Sequence, residues 1–279
     1  MTDRNDELIF LKRKAYELRC DVINMIYNSD TKNGHFGGSL SVAEIIAALY
    51  FHEMNINPSD PQWPDRDRLV LSKGHSVPIL YAALAHKGYF DKKVLDTYRD
   101  QGSILQGHPD SRKTPGIDTS SGSLGQGLSV ALGMALGAKQ FSKKFRVYAL
   151  LSEGEMQEGM TWEAVMAASH YGLDNLTGII DCNNLQIGGA PSKIMNIEPL
   201  ADKLRSFGWE VATIDGNDIA SILSAIEMAK KTSCKPFAVI CKTIKGKGVS
   251  FMENDKEWHC NSISLEQKNK ALNELKEFI

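Results

Sequence analysis

Residues 147–154, which read VYALLSEG, decide the fold: five apolar residues are followed by a small polar residue, an acid and a glycine. The apolar run predicts a buried strand, and a helical pattern begins at about Met160. A second apolar run, TGIID at residues 177–181, predicts the next parallel strand and is followed by Asn183 and Asn184. Buried strands that alternate with helices are typical of a parallel α/β sheet.

Polar side chains follow both of these strands. Glu153 and Asn183 stand where the strands end, and open α/β sheets bind ligands at the carboxyl ends of their strands. Carboxylate and amide oxygens are ligands that Mg²⁺ takes alongside water and phosphate oxygens. Gly154 lets the backbone approach a phosphate at the start of the next helix. These residues predict a metal and phosphate site, and an ordinary polar loop is the alternative.

Strand and helix patterns alternate along the rest of the chain, which favours a doubly wound α/β fold with a mostly parallel sheet and helices on both faces. The predicted strands are 68–72, 146–151, 177–181, 210–214 and 237–241. The predicted helices are 7–27, 42–51, 78–86, 92–99, 125–141, 162–171, 199–207, 219–230 and 265–278. The 279 residues contain no repeats or long linkers, so we predict a single domain, 1–279, that closes on a charged surface helix at about 264–279. Helix 125–141, rich in glycine and alanine, is expected to pack closely on the sheet.

Composition argues against several classes of function. The net charge is −2, with 32 Lys and Arg residues against 34 Asp and Glu, which indicates no basic surface for nucleic acid. The N-terminus is too polar for a signal peptide, and the longest apolar stretch is too short to span a bilayer. Five cysteines without a CxxC spacing indicate neither a zinc site nor a disulfide framework. We therefore expect a cytoplasmic protein that binds neither nucleic acid nor membranes.

Three histidines stand in glycine-rich, non-helical segments, namely His35, His75 and His108. A fourth, His259, follows the glycine-rich turn 245–248. A single such histidine is readily explained as a loop residue that bonds its own backbone, whereas three in similar settings favour a common site. Imidazole near neutral pH donates to hydroxyl or anionic oxygens and exchanges protons.

The other glycine-rich segment, SGSLGQG at residues 121–127, is similar to a phosphate-binding loop. It lacks both the dinucleotide fingerprint and the P-loop lysine, and a tightly packed helix start is the alternative. The remaining histidines lie in or beside helical patterns and are interpreted as ordinary: His52, His86 and His170.

Taken together and in this order, these residues resemble the N-terminal, diphosphate-binding module of transketolase, a thiamine diphosphate enzyme. The resemblance runs from about residue 34 to 259 and is closest to split transketolases, in which this module is a separate polypeptide. The matching segments are GHFGGSLS at 34–41, DRLVLSKGH at 67–75, GHP at 107–109, GSLGQG at 122–127, EGEMQEGMTWE at 153–163 with Asn183, and KTIKGKG at 242–248.

The resemblance implies roles for individual residues. It assigns a divalent metal, Mg²⁺ with Ca²⁺ as the alternative, to the side chains of Glu153 and Asn183 and the carbonyl of Leu185. It assigns thiamine diphosphate binding to His75, Gly122, Ser123, Leu124, Gly154, Glu155, Asn183 and Ile244. It assigns the contacts to sugar hydroxyls and the catalytic proton transfers to His35, His108 and His259. It places Glu158 and Glu163 at a subunit interface, where they couple two active sites.

The sequence departs from the family pattern at two positions. Glu153 stands where Asp is usual, and its extra methylene is unfavourable because Mg²⁺ demands short octahedral distances. Phe36 stands where Pro is usual, which removes a fixed φ angle and is expected to put an aromatic ring near the substrate mouth. Metal affinity and substrate preference are therefore the properties in which we expect this chain to differ.

The resemblance also implies the activity and the partner. The chain would be the N-terminal subunit of a transketolase that moves a two-carbon ketol unit from a ketose (phosphate) to an aldose (phosphate). A C-terminal subunit with the pyrimidine-binding module would supply the glutamate that activates the cofactor, in an α2β2 heterotetramer, so this chain would be active only with its partner. The alternatives are a subunit of another thiamine diphosphate enzyme, similar to deoxyxylulose-phosphate synthase or a 2-oxoacid dehydrogenase, and a non-catalytic binding subunit.

Overall fold

The structure is a computed structural model that describes residues 2–278. Met1 and Ile279, the two ends of the predicted domain, lie outside the described residues, as does the end of the predicted terminal helix at Ile279. The strands are β1 Asn33–Gly34, β2 Arg68–Leu71, β3 Val147–Ser152, β4 Leu176–Cys182, β5 Glu210–Asp215, β6 Phe237–Lys242 and β7 Asn261–Ser262. The α-helices are α1 Thr2–Asn28, α2 Gly37–Leu40, α3 Ala43–Ala48, α4 Val77–Lys87, α5 Gln126–Gln140, α6 Gly159–His170, α7 Pro191–Ile194, α8 Leu200–Ser206, α9 Ile219–Lys231 and α10 Leu265–Leu275.

The centre of the fold is a five-stranded sheet in which all neighbouring strands are parallel, in the order β2-β3-β4-β6-β5. Strands β3 and β4 are buried along nearly their whole length. This explains why both segments are continuous apolar runs rather than alternating patterns. The prediction of a doubly wound, parallel α/β fold is confirmed.

Alternate residues of the strands pack on opposite faces of the sheet. Tyr148 and Leu150 belong to the hydrophobic cluster that includes α1, α3, α4 and α9. Ala149 and Leu151 belong to the second cluster, which includes α5, α6 and α8. Burial of apolar area on both faces holds the strands firmly, so the loops at the strand ends start from a rigid frame.

Strands β1 and β7 form a separate antiparallel pair, with Asn33 opposite Ser262 and Gly34 opposite Asn261. The sequence did not predict this pair, because two residues are too few for an alternating pattern. His35 directly follows β1 and His259 lies just before β7, so the pairing brings two predicted site residues together.

Two predicted helices differ in type from those observed. The segment 42–51 divides into α3 and a π-helical turn, Leu49–Glu53, and the segment 92–99 is a 3₁₀ helix, Lys92–Thr97. In α5, a Cβ added at Gly127 would lie 2.2 Å from Ser72 Oγ, which shows close packing on the sheet. By contrast, nothing in the described chain lies within 4 Å of a Cβ added at Gly133 or Gly137.

The last part of the chain packs on α1. Helix α10 begins at a capping box in which Ser264 and Gln267 bond each other's backbone, and it buries Ala271 and Leu275. None of the helices within residues 2–278 is at once long and apolar enough to cross a membrane.

Candidate active site

A cavity of about 380 Å³ opens at the carboxyl edge of the sheet, beyond the ends of β3 and β4. The predicted site residues that line it are His35, His75, His108, Gly122, Leu124, Glu153, Gly154, Glu158, Asn183, Leu185 and His259. These residues come from segments that are far apart in the sequence. They meet because parallel strands deliver the loops that follow them to the same edge of the sheet.

Four histidines form a cluster in this cavity. The ring centroid of His35 lies 5.4 Å from that of His75, 5.5 Å from that of His259 and 6.0 Å from that of His108. The His75 and His259 centroids are 5.0 Å apart. His35 Nδ1 is buried, and it has no hydrogen-bond partner among the described residues. An unpartnered ring nitrogen in a cavity wall is suited to bonding a ligand.

The histidine cluster is neutral at physiological pH. Desolvation is the main cause and lowers the pKa of His35 to about 4 and that of His259 to about 3, with further lowering from neighbouring charges such as the Lys245 ammonium. Desolvation also lowers the pKa of His75 and His108. Lys245 Nζ lies 3.2 Å from His259 Nδ1. An ammonium only donates, so His259 Nδ1 accepts and its proton is carried on Nε2.

Glu153 is buried just beyond the end of β3, and its Oε1 atom has no hydrogen-bond partner in the described chain. Desolvation is the main reason that the pKa of this carboxyl is raised to about 7, and the Asp181 carboxylate adds to the rise. The Lys242 ammonium and two backbone N–H groups act in the opposite direction. A buried carboxylate oxygen without a partner is costly unless a cation or a donor binds it, so this position is suited to a metal ion.

Asn183 and Leu185 lie beside Glu153 in the cavity wall. Asn183 Nδ2 donates to Asp181 Oδ2 at 3.1 Å, and Asn183 Oδ1 accepts from the Leu185 N–H at 3.2 Å. Within residues 4–277, no three His, Cys, Asp or Glu side chains form a metal-binding group. The cavity therefore offers a hard cation one carboxylate together with amide and carbonyl oxygens, a donor set that Mg²⁺ and Ca²⁺ both accept.

Glycine is required at two points of the cavity wall. Gly122 has φ 142°, and a Cβ there would lie 2.8 Å from His108 Cδ2. A Cβ on Gly38 would lie 2.8 Å from Ser76 Oγ and 3.4 Å from His75 Nε2. A larger residue at either position would displace a cavity histidine or the chain that supports it.

Comparison with known proteins identifies the family. The family model described as the thiamine diphosphate binding domain of transketolase matches residues 12–276. The chain belongs to the transketolase family. It is 49% identical over 242 residues to the 6-deoxy-6-sulfo-D-fructose transketolase subunit SqwG of a Clostridium species, covering 87% of this chain and 88% of that one. It is 40% identical over 269 residues to one subunit of the apulose-4-phosphate transketolase of Phocaeicola vulgatus, covering 96% of this chain and 95% of that one.

Solved transketolases share the fold of this family member. The enzyme from Campylobacter jejuni superposes with a TM-score of 0.90 at 33% identity, and the enzyme from Leishmania mexicana with 0.91 at 28% identity. Each match covers 95% of this chain, but only 42% and 41%, respectively, of the solved chains. This chain thus spans about two fifths of those transketolases.

Two lysines of this transketolase domain line the cavity and were not predicted as site residues. Lys73 is buried, forms an ion pair with Asp181 and donates to the Gly38 carbonyl at 2.9 Å. Lys245 is also buried and donates to the Leu185 carbonyl at 3.1 Å. Lysine is rarely buried, so no local pattern in the sequence indicated that these two side chains line a cavity. The signal that was available is their position inside the matching segments LSKGH and KTIKGKG.

Three residues predicted to bind the cofactor, and one predicted to couple active sites, do not line the cavity. The Glu155 carboxylate is buried and accepts from the Ser72 hydroxyl and, at 2.8 Å, from the Gly125 N–H, so it supports the loop that contains Gly122. The others are Ser123, Ile244 and Glu163; Ser123 and Glu163 are exposed and Ile244 is half-buried.

The predicted position of Phe36 is wrong. Its side chain is fully buried and its ring packs against Trp258, with centroids 5.6 Å apart, rather than lying at the cavity mouth. Trp258 in turn packs against Phe251 at 5.3 Å. An aromatic ring loses more by facing water than it gains from a place near a polar mouth, so it turns into the core.

Proposed function

We propose that this chain is the thiamine diphosphate-binding subunit of a two-chain transketolase, which transfers a two-carbon ketol unit from a ketose donor to an aldose acceptor. The observation that carries the proposal is the meeting of four histidines with Glu153 and Asn183 in a single cavity at the carboxyl edge of the sheet. Membership of the transketolase family supports the same reaction class.

Three groups of this chain would hold a divalent metal: the Glu153 carboxylate, the Asn183 amide oxygen and the Leu185 carbonyl. The unpartnered Glu153 Oε1 supports this assignment, since a bound cation would satisfy it. The extra methylene of glutamate, compared with the usual aspartate, leaves the choice between Mg²⁺ and the larger Ca²⁺ to be measured.

The diphosphate would lie against the backbone that follows β3, near Gly154, with His75 as a donor. Lys73 and Lys245 are two buried ammonium groups in the wall of the same cavity, and their positive charge would favour an anionic ligand there. When bound, thiamine diphosphate would supply a nucleophilic thiazolium carbon for chemistry at the ketose carbonyl.

The remaining histidines would orient the sugar and move its protons. His259 presents an Nε2–H donor, because its Nδ1 is bonded by Lys245. His35 lies next to it in the cluster and His108 lies next to His35; these two are neutral, so each is able to accept a proton from a sugar hydroxyl. A neutral imidazole that is enclosed in the cavity serves as a base or a hydrogen-bond donor without a prior change of charge.

The proposed substrates are ketoses with an anionic group at the end remote from the carbonyl. This proposal draws on the relatives, which are named for a sulfonated fructose and for apulose 4-phosphate. A C-terminal subunit with the pyrimidine-binding module would complete the site in an α2β2 assembly in the cytoplasm. Glu158 and Glu163 would lie at the interface, which agrees with the exposure of both side chains.

Calorimetric titration with thiamine diphosphate tests the binding function. We expect heat of binding in Mg²⁺ that disappears in EDTA, and tighter binding when the partner subunit is present. A non-catalytic subunit that does not bind the metal would give no metal-dependent heat in either case, and that result would overturn the proposal.

A further inference from the structure

Asp181, the second-last residue of β4, is a buried residue of the cavity wall and is bonded to several parts of the site. Its Oδ2 atom accepts from Ser41 Oγ at 2.8 Å, from Asn183 Nδ2 at 3.1 Å and from the Lys73 ammonium. Its Oδ1 atom accepts from the Thr243 hydroxyl. These donors come from four separate segments of the chain.

The backbone of Asp181 is joined to the same site. Its carbonyl oxygen accepts from the Glu153 N–H at 3.0 Å. The proposed metal ligands Glu153 and Asn183 are therefore both bonded to this one residue, the first by its main chain and the second by its side chain.

The chemistry of a carboxylate decides which way the Asn183 amide faces. An ionised carboxylate only accepts hydrogen bonds, so the amide of Asn183 must turn its NH₂ group toward Asp181. The amide oxygen then faces away from Asp181, toward the N–H of Leu185, whose carbonyl is another of the proposed ligands. A neutral amide in place of Asp181 would allow both orientations of Asn183.

We propose that Asp181 is a positioning residue that fixes the Asn183 amide with its oxygen available to the metal. This inference rests on the proposed function. Groups that orient metal ligands through hydrogen bonds commonly affect metal affinity by roughly 10- to 100-fold when they are replaced.

The test is the Mg²⁺ concentration at half-saturation for thiamine diphosphate binding, measured by protein fluorescence with the partner subunit present. We expect Asp181→Asn, which keeps the shape of the side chain, to raise this concentration by roughly 10- to 100-fold. The matched control is Thr243→Val, which removes the bond to Oδ1 and leaves the three bonds to Oδ2 in place. It should lower the melting temperature and leave the Mg²⁺ requirement unchanged. If Asp181 has a purely structural role, both variants will lower the melting temperature and leave the Mg²⁺ requirement unchanged. That result would overturn the inference.

A second variant decides the question if Asp181→Asn does not fold. Asn183→Asp adds an anionic ligand, but it places that charge against Asp181 Oδ2, at the 3.1 Å contact now made by the amide. We expect a higher Mg²⁺ requirement because the two carboxylates repel each other. A lower requirement would overturn the positioning role. Failure of the wild-type complex to bind the cofactor at all would instead contradict the proposed function, on which this inference depends.

Discussion

Glu153 is the central residue of the proposed metal site. Its backbone N–H donates to the Asp181 carbonyl at 3.0 Å. A shift of the main chain to make room for the extra methylene of glutamate, compared with aspartate, would break that bond. The longer side chain lies in the cavity wall together with the other proposed ligands, Asn183 and Leu185.

We expect Glu153→Ala to weaken metal-dependent thiamine diphosphate binding strongly, because loss of an anionic ligand leaves the diphosphate charge less well compensated. Glu153→Asp restores the usual ligand length and should hold or tighten Mg²⁺ binding relative to Ca²⁺. The measurement is cofactor affinity at a series of Mg²⁺ and Ca²⁺ concentrations. Wild-type affinity in Glu153→Ala would show that this residue is not a metal ligand.

The histidines divide into two expected classes. Alanine at His35, His108 or His259 should lower ketol transfer by roughly 10²- to 10⁴-fold at saturating cofactor, because an acid–base group is lost. Alanine at His75 should mainly weaken cofactor binding. Steady-state rates and cofactor dissociation constants in the two-chain complex separate these effects. His52, an exposed residue paired with Glu7 outside the cavity, is the control and should change neither quantity. Loss of cofactor affinity in His35→Ala or His259→Ala, with rates intact at saturation, would reverse the assignment.

At the scale of residues, the sequence identified polar groups that lie beside glycine or at strand ends, and it missed the buried Lys73, Asp181 and Lys245. His35, His75 and His108 were found because glycine marks a loop where the side chain is the reachable group. Asp181 was interpreted only as the end of a strand. Its role depends on donors from four segments, which no local pattern contains.

At the scale of elements, the segment after β1 shows how a core contact supports the site. Phe36 lies between His35 and the short helix α2, and its buried ring packs against Trp258, which immediately precedes His259. This contact, together with the β1–β7 pair, joins the segments that carry the two histidines.

We expect Phe36→Ala to lower the free energy of unfolding by about 3–5 kcal/mol, as is usual when a buried Phe is removed. The matched control is Phe141→Ala, at a side chain that is 76% exposed, which should change stability by less than about 0.5 kcal/mol. Urea denaturation of the isolated chain measures the free energy of unfolding of both variants. If both variants change the free energy of unfolding by a similarly small amount, Phe36 does not lie in the core, and its predicted position at the cavity mouth is correct.

The strands of the sheet were predicted to within about a residue at each end, because continuous apolar runs bounded by polar residues are unambiguous. The β1–β7 pair was not predicted, and the predicted helix 92–99 is a 3₁₀ helix, Lys92–Thr97. Both are stabilised by tertiary contacts rather than by local periodicity.

At the scale of the whole molecule, one face beside the cavity exposes apolar side chains. Met160 is 44% exposed and Met166 57% exposed on α6, and Leu124 is 37% exposed at the cavity wall. The exposed Glu163 lies on the same helix. We infer that this face contacts the partner subunit, since exposed apolar side chains close to a proposed shared site are suited to an interface.

We expect Met166→Asp to weaken assembly with the partner by roughly tenfold or more, because a charge would be desolvated at the interface. The melting temperature of the isolated chain should remain unchanged. Met228→Asp is the control: Met228 is 51% exposed on α9, which packs on the opposite side of the sheet. Sedimentation of each variant mixed with the partner subunit measures the strength of assembly. If both variants weaken assembly equally, or if neither weakens it, the interface lies elsewhere.

Ketol transfer by the two purified subunits, measured separately and after mixing, is the most direct test of the proposed function. With thiamine diphosphate and Mg²⁺ present, we expect no turnover of a ketose phosphate or sulfonated ketose by this chain alone. Turnover should appear on mixing with the pyrimidine-binding partner and reach its maximum at equal amounts of the two chains. Sustained turnover by this chain alone, or none by a mixture shown to contain bound cofactor, would contradict the proposal.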